Sequence, residues 1–147
     1  MKLALFDFDN TLFETPYLEI NNYMESPDSL SVRKWDFKPI KKTIKKCISQ
    51  CESTDTVVVL LTNRLDIVMP SLKKVLSQHS LVFDMYMPII GKDGNRSKGL
   101  RVEELIREYP KTKMIEYWED KDKHILDVET TLSKYPNIQL IIHKVSI

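Results

Sequence analysis

From Val57 to Leu61 the chain reads Val-Val-Val-Leu-Leu, with Thr56 and Thr62 as the only flanking polar groups. A run of this kind cannot alternate between core and solvent. It therefore reads as a strand covered on both faces, the habit of parallel sheets packed between helices. Residues 2–8 read the same way, Lys2 being the only polar residue before Asp7. Shorter runs predict further strands at 82–87, at 112–118 through Met114, Ile115, Tyr117 and Trp118, and at 138–145.

Amphipathic stripes fall between these runs. Ile40, Ile44, Cys47, Ile48 and Cys51 form one, and Val68, Leu72, Val75 and Leu76 a second. Val102, Leu105, Ile106 and Tyr109 form a third, and Ile125, Val128, Leu132 and Tyr135 a fourth. Each has the spacing of a helix with one buried face. Pro110 and Pro136 stop the helices before them. Strand–helix alternation predicts an α/β fold, a doubly wound three-layer sandwich around a mainly parallel five-stranded sheet, in one domain over 1–147. Residues 13–37 follow neither period. With Pro16 and the Ser26-Pro27-Asp28-Ser29 turn signal they read as an irregular flap, with a helical turn around Tyr17–Met24.

The net charge of +1 recommends neither nucleic acid nor an anionic membrane through the overall field. No run is long enough for a membrane span, and no signal-peptide pattern opens the chain, so a cytoplasmic location is expected. Cys47 and Cys51, four apart on a helical stripe with no further Cys or His nearby, are expected to be reduced, packed thiols.

The strand over 2–8 ends in chemistry. Alternation places Asp7 and Asp9 on one face, and two carboxylates that close call for a cation or a proton between them. In a doubly wound sheet, ligands bind beyond the carboxyl ends of the strands. The second strand ends in Thr62-Asn63-Arg64, where a helix is expected to begin with its N–H groups toward an anion. Lys98 opens the third helix, and the fourth strand ends in Glu119-Asp120. Carboxylates from two strands, a hydroxyl from another and one ammonium suit phosphoryl transfer with magnesium, an ion that favours oxygen ligands.

On these residues the chain resembles the haloacid dehalogenase (HAD) superfamily of phosphotransferases. Asp7-x-Asp9-x-Thr11 matches its first motif, Thr62 its second, Lys98 its third and Glu119-Asp120 its fourth. More narrowly, the stretch Phe6–Pro16, Leu60-Leu61-Thr62-x-Arg64 and Trp118-Glu119-Asp120 with His124 are similar to the HAD domain called Swiss Army Knife RNA repair-like. The chain departs from that pattern at Asn63, where glycine is common, and at Lys121, where arginine usually follows. The resemblance implies Asp7 as nucleophile and magnesium ligand, and Asp9 as general acid and base whose backbone carbonyl also binds the metal. It implies Thr62 and Lys98 as phosphoryl-stabilising groups, with Asp120 or Glu119 as the third metal carboxylate. Thr11, Asn63 and Arg64 are expected at the substrate. An acid at Asp9 favours ester hydrolysis over carbon–halogen cleavage.

Several assignments stay open at this level. Lys92 competes with Lys98, and His124 reads either as a substrate contact or as a packed or capping histidine. Arg64 reads as a contact to a second phosphate or as a solvated helix-start residue. Lys41, Lys42, Lys45 and Lys46, with Arg33, Lys34 and Lys38 before them, read as a solvated face or a nucleic-acid contact, and Trp35 and Phe37 as core or as base-stacking rings. Neither interval between motifs has room for a folded cap, which favours an open site and a macromolecular phosphoester. The functions to be weighed are therefore a magnesium-dependent phosphatase on nucleic-acid ends, a small-molecule phosphatase such as a nucleotidase, and a non-catalytic binding module.

Overall fold

The computed structural model describes residues 1–15 and 37–147. Along the chain lie β1 (Lys2–Phe6), β2 (Phe13–Glu14), β3 (Lys38–Pro39), α1 (Lys41–Glu52) and β4 (Thr56–Leu65). A 3-10 turn at Asp66–Val68 leads into α2 (Met69–Gln78), followed by β5 (Met85–Ile89), α3 (Lys98–Glu108), β6 (Met114–Glu119), α4 (Asp122–Leu132) and β7 (Gln139–Lys144). Five strands pair in parallel in the order β5-β4-β1-β6-β7, as the apolar runs predict.

Side-chain alternation splits the core into two layers. Ala4, Phe6, Val58, Leu60 and Trp118 pack with Ile44 and Cys47 of α1 and Leu72 and Leu76 of α2. Leu3, Leu5, Val59, Leu61, Ile115 and Tyr117 pack instead with Val102 and Leu105 of α3 and Val128 and Leu132 of α4. Each Val, Leu, Ile or Phe side chain buried this way contributes about 1.5–3 kcal/mol. Because β1 is followed by a helix on one face and β6 by a helix on the other, strand order reverses between them. That reversal is where a doubly wound sheet places its ligand.

Three boundaries differ from the sequence expectation. β1 stops at Phe6, because the backbone turns sharply after it: Thr11, Leu12 and Phe13 all donate N–H groups to the Phe8 carbonyl, at 3.3, 3.0 and 3.3 Å. β4 continues three residues past Thr62, and its register on β5 shifts between Leu61 and Leu65. Thr62-Asn63-Arg64 is therefore an irregular strand segment rather than a helix start, and supplies no helix-terminal N–H groups. β5 begins at Met85 and contains Pro88, which an edge strand tolerates on its unpaired side.

The flap expected at about 13–37 is bracketed by β2 and β3, which pair antiparallel with each other as a separate two-stranded sheet. Residues 16–36, with the helical turn expected at Tyr17–Met24 and with Arg33, Lys34 and Trp35, lie outside the described residues. Between Thr62 and Lys98 the chain holds α2 and β5. Cys47 is buried, as expected, whereas Cys51 is exposed at the end of α1, so only one of the two thiols is packed. Among the described residues no helix is long and apolar enough to cross a membrane.

Candidate active site

Asp7 follows β1 directly, and its N–H extends the parallel ladder to the Trp118 carbonyl at 3.1 Å. The turn beyond it, with Asn10 at φ +58°, brings Thr11 back over the strand end. Thr11 Oγ1 donates to Asp7 Oδ2 at 2.9 Å and lies 3.5 Å from Asp120 Oδ1. The spacing Asp7-x-Asp9-x-Thr11 thus closes a loop in which the hydroxyl orients the first carboxylate.

The other Asp7 oxygen accepts from Lys98. Lys98 Nζ lies 2.8 Å from Asp7 Oδ1 and 2.6 Å from Glu119 Oε1, and is only 1% exposed. Lys92, its competitor, is exposed. Lys98 is held by how α3 starts. Ser97 caps the helix by accepting from Leu100 N–H, and Asp127 of α4 accepts from both Ser97 Oγ at 2.7 Å and Gly99 N–H at 3.0 Å. A Cβ on Gly99 would collide with Thr131 and fall 2.7 Å from the Asp127 carbonyl oxygen, so only glycine allows this approach of α3 to α4.

Glu119 is wholly buried and fully engaged. Its Oε1 accepts from Lys98 and from the Tyr117 hydroxyl, while Oε2 accepts from the Asp120 and Lys121 N–H groups at 3.0 and 3.3 Å. Tyr117 was not legible as a site residue, although the two-residue period does place it on the same strand face as Glu119. Asp7, Glu119 and Asp120 each present an oxygen within 4.8 Å of the others.

Three carboxylates against one ammonium leave this cluster with a formal charge of −2, and its titration shows the strain. Burial, reinforced by the Glu119 charge, raises Asp7 well above the usual carboxylate range despite Lys98. Burial and the hydrogen bond with Glu119 push Asp120 up to about 6. Burial opposes ionisation of Glu119 too, yet the Lys98 charge and the hydrogen bonds with Asp120, Asp7 and Lys98 together outweigh it and hold Glu119 well below its ordinary value. Burial would also lower Lys98, but the two carboxylates hold it raised and charged. His124 is pushed down to about 4 by burial and by the Lys98 ammonium, so it is neutral at neutral pH.

Asp9 departs from the same-face expectation. Its carboxylate lies outside the three-acid cluster and takes Arg64 Nε at 3.0 Å, Arg64 Nη2 at 2.6 Å and Thr15 Oγ1 at 2.6 Å. Arg64 is neither solvated nor directed to open space. It is fully buried, with its guanidinium 5.4 Å from the Phe8 ring centre and 5.6 Å from that of Phe37, which places Phe37 in the core. Asn63 is likewise engaged by the protein: its Oδ1 accepts from Arg101 and its Nδ2 donates to the Arg96 carbonyl at 3.3 Å.

Arg101, which the sequence did not single out, is buried one helical turn after Lys98 and donates to the Thr62 and Met87 carbonyls at 2.8 and 3.0 Å. Burial lowers its guanidinium to about 10, still charged at neutral pH. It pins the irregular part of β4, where Thr62 Oγ1 accepts from Arg64 N–H at 3.1 Å. The Thr62 hydroxyl proton has no acceptor among the described residues, so it remains available for an incoming oxygen.

The donor set fits a divalent cation. All three ligand candidates offer carboxylate oxygens, the cluster including Lys98 carries a formal charge of −2, and Asp7 and Asp120 retain accepting capacity that Glu119 does not. The arrangement can therefore hold a metal at Asp7 and Asp120, with Glu119 clamping Lys98 and the Asp120 backbone behind them.

Residues 8–147 match the family model described as HAD domain family 1 in Swiss Army Knife RNA repair proteins. In a sequence search, no curated protein matches the chain. Among solved structures, a chain of the Pnkp1/Rnl/Hen1 complex superposes with TM-score 0.65 at 15% identity, covering 98% of this chain and 45% of that one. The Pnkp1/Rnl/Hen1 RNA repair complex matches with TM-score 0.63 at 14% identity, over 99% of this chain and 43% of that chain. The HAD domain of the effector protein Lem4 from Legionella pneumophila matches with TM-score 0.67 at 11% identity, over 97% of this chain and 85% of that one. At these identities the likeness is one of fold, and the present chain spans less than half of the RNA repair chains it resembles.

Proposed function

This chain belongs to HAD domain family 1 of the Swiss Army Knife RNA repair proteins, and from that premise we propose that it is a magnesium-dependent phosphatase working through an aspartyl-phosphate. Its substrates, in this reading, are phosphorylated nucleic-acid ends. The observation that carries the proposal is the Asp7–Lys98–Glu119 arrangement: a carboxylate at a strand end, one oxygen held by a buried ammonium and the other by Thr11.

A phosphorylated end enters with its phosphorus facing Asp7. An Asp7 carboxylate oxygen forms a bond to phosphorus as the bond to the leaving oxygen breaks, and Asp9 donates the proton that oxygen needs. Asp9 then takes a proton from water, whose oxygen displaces Asp7 and releases phosphate. Lys98 and the Thr62 hydroxyl oppose the charge on the transferring oxygens. Asp7 and Asp120 would hold the magnesium ion, which when bound supplies the two positive charges the cluster lacks and favours the ionised form of Asp7. Arg64 serves by gripping Asp9, and Asn63 by holding Arg101 against the Thr62 segment.

The test is hydrolysis of a generic aryl phosphate. Turnover is expected with magnesium, and is expected to vanish in chelator and in Asp7→Asn, whose amide is nearly isosteric and should leave the fold intact. Near-normal activity of Asp7→Asn would remove the nucleophile and the reading with it.

A further inference from the structure

We propose that the groove between α1 and β7 holds the backbone of a nucleic-acid strand whose terminal phosphate occupies the Asp7 centre. The groove has a volume of about 290 Å³, and Lys42 and Lys46 form one wall while His143 and Lys144 form the other, with Trp118 between them. Among the described residues that line it there is no carboxylate.

Its charge is available. Lys42 and Lys46 are exposed and have no ion-pair partner among the described residues. Lys144 is bound at 2.7 Å to Asp122, itself 81% exposed, a pair that solvent keeps weak. His143 is held to Glu116 at 2.9 Å. α1 has neither a capping side chain nor an acid in its first turn, so the positive end of its dipole adds to the lysines instead of being cancelled.

Both walls are tied by backbone hydrogen bonds to the segments that carry the active site. Ile40, which precedes α1 and lines the groove, donates its N–H to the carbonyl of Leu12 at 2.8 Å, and Leu12 follows Thr11. Trp118 precedes Glu119 in β6, and Val145 donates its N–H to the Glu119 carbonyl at 2.9 Å. A polyanion leaving the Asp7 centre on this side meets Lys42, Lys46 and Lys144 next. Trp118 is stacked between Phe6 and His143 at 4.2 and 4.5 Å, which keeps this floor rigid.

The geometry also divides the lysine cluster of α1. Lys42 and Lys46, one helical turn apart, line the groove, whereas Lys41 and Lys45 do not. Equal charge on one helix is thus split between a groove face and a solvent face, and this gives the experiment its control.

The proposal rests on the phosphatase reading for where the strand ends, and on the groove alone for what holds it. Binding of a fluorescent oligonucleotide 3′-phosphate is measured by anisotropy on Asp7→Asn in chelator, from about 50 to 200 mM salt. Lys42→Ser with Lys46→Ser should weaken binding about tenfold and reduce the salt slope by roughly one for each lysine. Lys144→Ser should weaken it less, and Lys41→Ser with Lys45→Ser should leave it unchanged near physiological salt, where screening is strong. Thermal melting checks that each variant is folded. Equal losses from the two α1 pairs, or no loss from either, would overturn the groove. Tighter, Lys42- and Lys46-dependent binding of a phosphopeptide of equal charge would overturn the nucleic-acid assignment. Wild-type aryl phosphate hydrolysis is assayed in parallel; its absence with groove binding intact would defeat the phosphatase reading and leave the groove standing.

Discussion

Arg64 and Asp9, 55 residues apart in sequence, form a two-pronged ion pair, with Nε 3.0 Å from Oδ2 and Nη2 2.6 Å from Oδ1. The guanidinium is fully buried beside two phenylalanine rings, so the general-acid candidate is held by a charge the protein has sealed from water. The planar fork matters here, because a lysine could occupy only one of the two contacts.

Arg64→Lys is therefore expected to cost about 1.5–3 kcal/mol of stability, the worth of one charge-assisted hydrogen bond, as read by denaturant unfolding. If Arg64 positions Asp9, turnover of alkyl phosphates should fall more than turnover of aryl phosphates, whose leaving groups need little proton donation. Asp9→Asn should show the same split more strongly. A loss of equal size on both substrates would make Arg64 a structural residue only.

The acid cluster predicts opposite pH trends with and without metal. Asp120 titrates at about 6 in the folded chain, above its unfolded value near 3.9. The folded state therefore binds more protons between those values, and the Asp120 contribution to metal-free stability declines as pH rises through that window. Magnesium needs the ionised carboxylate, so the thermal stabilisation it confers should grow as pH rises through about 6. Asp120→Asn should remove most of that stabilisation. A magnesium-induced shift in melting temperature that is independent of pH between 5 and 7 would contradict the ligand assignment.

Gly99→Ala tests the support behind Lys98. The added methyl group would meet the Asp127 backbone, which cannot swing aside as a side chain could. A loss of about 1–3 kcal/mol in unfolding free energy is expected, with a drop in kcat as Lys98 moves off Asp7. Full stability and full activity would show that α3 can shift without cost.

Much of this protein was legible before folding. Unbroken apolar runs such as Val57–Leu61 can be satisfied only by burial on both faces, so parallel strands between helices follow from local sequence. Asp7, Thr11, Lys98, Glu119 and Asp120 could be read as one site because each sits at the end of such an element, and parallel topology collects those ends. What tertiary structure decided is how side chains choose partners once they are there. Alternation put Asp9 beside Asp7, but a turn at Asn10 and a buried Arg64 drew it away. Asn63, Arg101 and Tyr117 acquired their contacts from a register shift, a helix contact and a shared strand face. Lys42 and Lys46 differ from Lys41 and Lys45 only in what the fold lays opposite them. Local periodicity reports which face a residue occupies, whereas pairing across tens of residues depends on register and packing that no short stretch of chain contains.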